Sequence, residues 1–281
     1  MALLQKGYLG STPLFKDLAW FEESASTLVS SGTATATGSS TAHVKGSWAQ
    51  VIASTSANAT ALIVSVYDIG ANGVNTAALL DIGFGASGSE SVKIADIAVG
   101  GANASAVPFG GLSFVVPLQV PSGTRIAARI QGVVTSETAS VFIQAVSTGD
   151  YTLAPTALDT IGTNTANSEG TGMSGASGTW VQVTSSTANA YRGVVIIPSL
   201  AATVGITSLD TRFDVAVGAS GSESQFGFVN VRYISNETVT TGLLAATSVV
   251  GKSIASGSRL SVRHQLSSNQ SVYQVTLIGI R

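Results

Sequence analysis

Two stretches decide the fold: LLDIGFGASGSES, residues 79–91, and RFDVAVGASGSES, residues 212–224. Each carries the same glycine- and serine-rich bend, GASGSE, with two glycines three apart. Working outward, three further matches appear in the same order. GSWAQV from Gly46 answers GTWVQV from Gly178, PSGTRIAARIQ ending at Gln131 answers ASGSRLSVRHQ ending at Gln265, and SVF at 140–142 answers SVY at 271–273. The separations differ by at most three residues, as loop insertions and deletions would leave them. The chain is therefore an internal duplication.

The boundary between copies falls near residue 150, where the apolar strand VFIQAV (141–146) gives way to STGDYTLAPTALDT, which reads as a turn and connector. This divides the chain into a first β-sandwich with an N-terminal arm, residues 1–150, and a second at 151–281. Each copy shows at least six short runs rich in β-branched and aromatic residues, punctuated by Gly, Asn, Ser and Pro. That pattern predicts an all-β fold of two tandem sandwiches, with a jelly-roll arrangement preferred. No long amphipathic helical pattern is found; short helices are considered only at 14–21 and 76–80.

Charged residues make up 10% of the chain, hydrophobic residues 44%, and the net charge is -2. An average soluble domain carries roughly 25% charged residues, so the surface here is covered by small neutral groups. Low charge suits a subunit built into an assembly, where like-charge repulsion would hinder packing. No basic run offers a phosphate-binding stripe, so nucleic acid is not an expected partner. Cysteine is absent, which removes disulfides, thiol catalysis and thiolate metal sites. The start, MALLQKGYLGSTPLFKDLAWFEES, lacks the plan of a signal peptide, and no apolar run is long enough to span a membrane as a helix.

Four groups of residues invite a functional reading. The GASGSE loops at 85–90 and 218–223 have the composition of an anion cradle, but lack the helix and lysine of a phosphate loop and read as strand connections. Asp81 with Glu90, and Asp214 with Glu223, supply too few oxygens for a calcium site. Arg125 and Arg129, matched by Arg259 and Arg263, each lie on one face of a strand, where they suit either partner carboxylates or local ion pairs. Trp48 and Trp180 open equivalent strands and read as core or core-rim aromatics, with sugar stacking or partner anchoring as the alternative. In the N-terminal segment, Phe15, Leu18, Trp20 and Phe21 form a candidate anchor for a partner.

Catalysis has little support in linear motifs. The two histidines, His43 and His264, occupy non-equivalent places, and no HExxH, GxSxG, GxGxxG or GxxxxGK[ST] occurs. The sequence is read as non-enzymatic, with no metal or organic cofactor. Together with the duplication, segments such as GTATATGSSTAHVKGSWAQV (32–51) and GASGSES (85–91) resemble tailed-bacteriophage virion proteins with tandem β-sandwich domains. The resemblance implies location in a virion and contacts with other virion proteins and with copies of itself. The implied role is capsid decoration or cement, with a tail or baseplate component and a glycan-binding adhesion module as alternatives. An aromatic cluster on one sheet face would favour glycan binding; a broad, flat, neutral face would favour assembly.

Overall fold

The computed structural model describes residues 27–67, 69, 77–100, 112–173, 177–200, 208–236, 239–245, 248–266 and 273–281. The candidate anchor residues Phe15, Leu18, Trp20 and Phe21 lie outside the described residues, as does the helix considered at 14–21.

The first sandwich is built from β1 (Thr27–Thr37), β2 (Ala49–Ile52), β3 (Ala59–Tyr67), β4 (Ala77–Phe84), β5 (Ser91–Gly100), β6 (Leu112–Val120), β7 (Ile126–Gly132) and β8 (Thr138–Ser147). All pairings are antiparallel. Sheet I has the order β1-β8-β3-β6 and sheet II the order β2-β7-β4-β5. That interleaving, in which the chain crosses between sheets as two nested Greek keys, is the jelly roll. Within the segment considered as a helix at 76–80, residues 77–80 belong instead to β4. AALLDIGF places Ala78, Leu80, Ile82 and Phe84 in the core, and an apolar run this short cannot be told from a helix by periodicity alone.

The second sandwich repeats the plan with β9 (Leu158–Ile161), β10 (Thr163–Asn164), β11 (Glu169–Gly172), β12 (Val181–Thr184), β13 (Tyr191–Leu200), β14 (Ser208–Val217), β15 (Ser224–Asn236), β16 (Val239–Ala245), β17 (Ser248–Ile254), β18 (Leu260–Leu266) and β19 (Tyr273–Ile280). Sheet III runs β10-β11-β19-β13-β17, with β9 also on β19, and sheet IV runs β12-β18-β14-β15-β16. Strand for strand, β11-β19-β13-β17 answers sheet I and β12-β18-β14-β15 answers sheet II. The end of the stretch read as a connector, LDT at 158–160, belongs to strand β9, which pairs with Leu277–Ile280.

Matching turns hold both copies in register. Gly123 (φ 78°) and Gly257 (φ 81°) adopt the left-handed conformation that closes the PSGT and ASGS turns. Their amides donate to the carbonyls of Thr55 and Thr187, each at 2.8 Å.

The two sandwiches pack face to face. The outer face of sheet II lies against sheet III: Ala98 N donates to Thr276 Oγ1 (3.2 Å), Thr163 Oγ1 to Asp96 O (2.9 Å) and Gln131 Nε2 to Ser168 Oγ (3.1 Å). Leu79 pairs across strands with Gln131 and Ala98 and is buried on that face. Gly170 closes the contact, since an added Cβ would fall 3.0 Å from the Ala98 Cβ.

Candidate functional site

Both copies carry the same arginine fork. Arg125, entering β7, donates through Nε to Gln50 Oε1 (2.9 Å) and through Nη1 to Gly85 O (3.1 Å) and Glu90 Oε1 (2.8 Å). Arg259, entering β18, makes the same bonds to Gln182 (3.0 Å), Gly218 O (3.1 Å) and Glu223 (2.9 Å). Burial pushes the Glu90 carboxyl upward. Its own backbone amide, the Arg125 guanidinium and the Gly88 amide outweigh this and hold it below its ordinary value. Glu223 is held low in the same way with Arg259. The GASGSE loops are thus latched to the sheet by their glutamates, which spends these carboxylates on structure.

Arg129 and Arg263 build a second shared unit. Each guanidinium lies 4.4 Å from the centroid of a tryptophan ring, Trp48 or Trp180, and each Nε donates at 2.9 Å to a buried aspartate, Asp81 or Asp214. The tryptophans are half-buried, and Trp48 lies so close to β4 that a Cβ on Gly83 would fall 2.7 Å from its ring. With an arginine over the ring, these indoles do not form an open platform for a sugar. All four arginines singled out in the sequence are therefore engaged in ion pairs inside their own sandwich.

A groove of about 920 Å³ runs where the sandwiches meet. One wall is β5, with Val92, Lys93, Ala95 and Asp96; the other comes from β9, β11, the loop after β12 and Tyr191 at the start of β13. At one place Asp159 accepts from Asn189 Nδ2 (2.7 Å) and lies 3.6 Å from Arg281 Nη2. The Tyr191 hydroxyl is pushed up to about 12, first by burial and then by the Asp159 charge and its hydrogen bond to that carboxylate. It therefore stays protonated and holds Asp159 in place.

Asp96 borders the same groove in a left-handed backbone conformation (φ 55°), unusual for a residue with a side chain. The contacts around it hold this conformation: its amide donates to Asp81 Oδ1 (2.8 Å), its carbonyl accepts from Thr163, and its carboxylate meets Lys45. Glu169 adds a third carboxylate, and Thr160, Thr163, Thr171, Thr184 and Ser186 add hydroxyls. Among the described residues no group of three or more His, Asp or Glu side chains is arranged to hold a metal ion.

None of the groove residues was singled out in the sequence as a site. They come from five separate segments of two domains, and no linear spacing links Asp96, Asp159, Glu169 and Tyr191. The one available signal was the LDT of the presumed connector, which carries Asp159 into strand β9.

No family model matches this chain, and none of the curated proteins matches its sequence. Among solved structures, it is similar to PNGF-II at 8% identity and a TM-score of 0.40, over 89% of this chain; this chain spans 65% of the length of that one. It is similar to PNGase F, a glycosylasparaginase from Flavobacterium meningosepticum, at 13% identity and a TM-score of 0.35, over 88% of this chain and 96% of that one. A tandem CBM22 domain pair from Paenibacillus barcinonensis Xyn10C is similar at 8% identity and a TM-score of 0.24, over 94% and 95%. At these scores no residue role passes to this chain. The expectation of a non-enzyme is withdrawn beside a glycosylasparaginase among these structures. It rested on missing linear motifs, and no linear motif reports carboxylates that come from distant segments, as Asp96, Asp159 and Glu169 of the groove do.

Proposed function

We propose that this chain is a carbohydrate-binding protein whose ligand lies in the groove between the two sandwiches. The observation that carries the reading is the groove's lining: an aromatic hydroxyl, an Asp159–Asn189 pair and a row of threonine and serine hydroxyls beside the apolar Val92, Leu158, Ile161 and Val183. A sugar ring offers hydroxyls that both donate and accept, along with apolar C–H patches, and needs a wall of both kinds. Charge also fits a neutral ligand. Asp96 is matched by Lys45 and Asp159 lies near Arg281, and the two other charges of the lining, Lys93 and Glu169, are of opposite sign.

The test is calorimetric titration with a panel of neutral oligosaccharides, with mass spectrometry of the mixture to separate binding from turnover. Removing a charged partner of a ligand hydroxyl costs about 1.5–3 kcal/mol, so Asp159→Ala should weaken binding about 10- to 150-fold. An empty panel, or wild-type affinity in Asp159→Ala, defeats the reading.

A second reading, a repeated subunit of a virion as a decoration or tail protein, is supported by the 10% charge content of the chain and the duplicated jelly roll. Electron microscopy of the protein in its natural assembly tests it: regular copies on a particle support it, and a free monomer in that setting removes it.

A further inference from the structure

Not one residue of β1, β3, β6 or β8 is charged, so sheet I is neutral from edge to edge. Val64, Val66, Val141 and Ile143 point into the core. The alternate residues, Ile63, Ser65, Tyr67, Ser140, Phe142 and Gln144, form the outer face and are only half-buried. They stand in rows: Phe142 between Thr33 and Ser65, Gln144 between Ser31 and Ile63. Four hydroxyls on this face already bond in pairs, Ser65 Oγ with Ser113 Oγ at 2.7 Å and Thr33 Oγ1 with the Tyr67 hydroxyl at 3.4 Å. Covering the face therefore strands none of these four, and a second copy of the same face offers Ser140 and Gln144 hydrogen-bonding groups of their own kind.

The duplication shows what the fold does with such a face. The same face of the second copy, the outside of sheet III, is already an interface: Gln274 and Thr276 are buried there, and Thr276 bonds to β5 of the first sandwich. The partner used in that contact, sheet II, is occupied within the chain. Its counterpart, sheet IV, presents Arg212, Gln225 and Arg263 instead of an apolar row, and does not match a neutral surface. The surface of a second molecule that does match is its own sheet I.

We propose that the outer face of sheet I docks on the same face of a second copy, giving a two-fold dimer. Four strands about 4.8 Å apart and some eight residues long offer about 500 Å² per partner, near the lower limit for a specific interface, so the dimer is concentration-dependent. This inference is independent of the glycan reading, since the face lies apart from the groove.

Sedimentation velocity of the full chain over a concentration series tests it, beside the variants Phe142→Glu and Ile63→Lys. Both positions are half-exposed, and circular dichroism checks that the variants fold. The expected result is a monomer–dimer equilibrium in the wild type, weakened about tenfold or more in each variant because like charges meet across the two-fold. Glycan titration of the same variants should be unchanged, which separates failure here from failure of the groove reading. A wild type that stays monomeric at the highest concentrations overturns the proposal, as does a dimer untouched by either charge. Loss of glycan binding in Phe142→Glu without any dimer also overturns it, because the face would then be a sugar platform.

Discussion

Leu79 and Arg212 occupy the same place in the two repeats, two residues before the buried aspartate. Leu79 is flanked by Gln131 and Ala98, and this row is covered by the second sandwich. Arg212 is flanked by Gln265 and Asn230, and its side chain is 39% exposed. One backbone plan thus carries an apolar row where a neighbour docks and a polar row where solvent remains. The aspartates respond to the same difference. Asp81 takes two cations and one amide: Lys45 Nζ (2.6 Å), Arg129 Nε (2.9 Å) and the Asp96 amide (2.8 Å). Asp214 takes two arginines and two glutamines: Arg212 (2.5 Å), Arg263 (2.9 Å), Gln225 (3.0 Å) and Gln265 (2.6 Å). The counterpart of Gln265, Gln131, turns instead to Ser168 in the second sandwich. The duplication kept the aspartate and the arginine over the tryptophan, and rebuilt the rest to suit what lies above.

The largest expected effect comes from removing the aspartates. Asp214→Ala takes the shared acceptor from two arginines and two glutamine amides, and should destabilise the second sandwich by about 3–5 kcal/mol. Asp81→Ala should cost a similar amount in the first. Urea unfolding measures both, and a loss under about 1 kcal/mol at either site would show that the aspartate is not the hub described here.

Exchanging the rows sharpens the comparison. Leu79→Arg places a guanidinium under the second sandwich and should cost about 2–4 kcal/mol, splitting one calorimetric transition into two as the domains uncouple. Arg212→Leu at the solvent-facing site removes one partly exposed ion pair and should cost about 1 kcal/mol or less. Equal effects at the two positions would break the distinction between covered and open faces.

The smallest effect concerns the loops, where the copies should behave alike. Glu90 and Glu223 both have folded-state values below the ordinary 4.5. Their contribution is therefore complete above about pH 4.5 and is lost as pH falls through the lower folded value. Thermal stability should decline on acidification below that point, and Arg125→Ala and Arg259→Ala should each flatten the decline by a similar amount. An acid limb that Arg125→Ala changes and Arg259→Ala does not would mean the latches are not equivalent.

Much of this was legible in the residues. The repeated GASGSES, the glycines at the turns and the alternation in strands such as TRIAARIQ report local backbone needs, which depend on neighbours in sequence. The same alternation placed Arg125 and Arg129 on one face and paired Asp81 with Asp214 by position. What the arginines would meet was open between a partner and local acids; the fold put Glu90 and Asp81 within reach.

By itself, the sequence determined the strand content and the duplication, because period-two patterning and turn chemistry are properties of the local chain. Tertiary structure alone decided the jelly-roll strand order, the docking of sheet II on sheet III, and the groove that collects Asp96, Asp159, Glu169 and Tyr191. Those depend on contacts between residues far apart in the chain. No local pattern encodes which face of one sandwich will cover which face of the other.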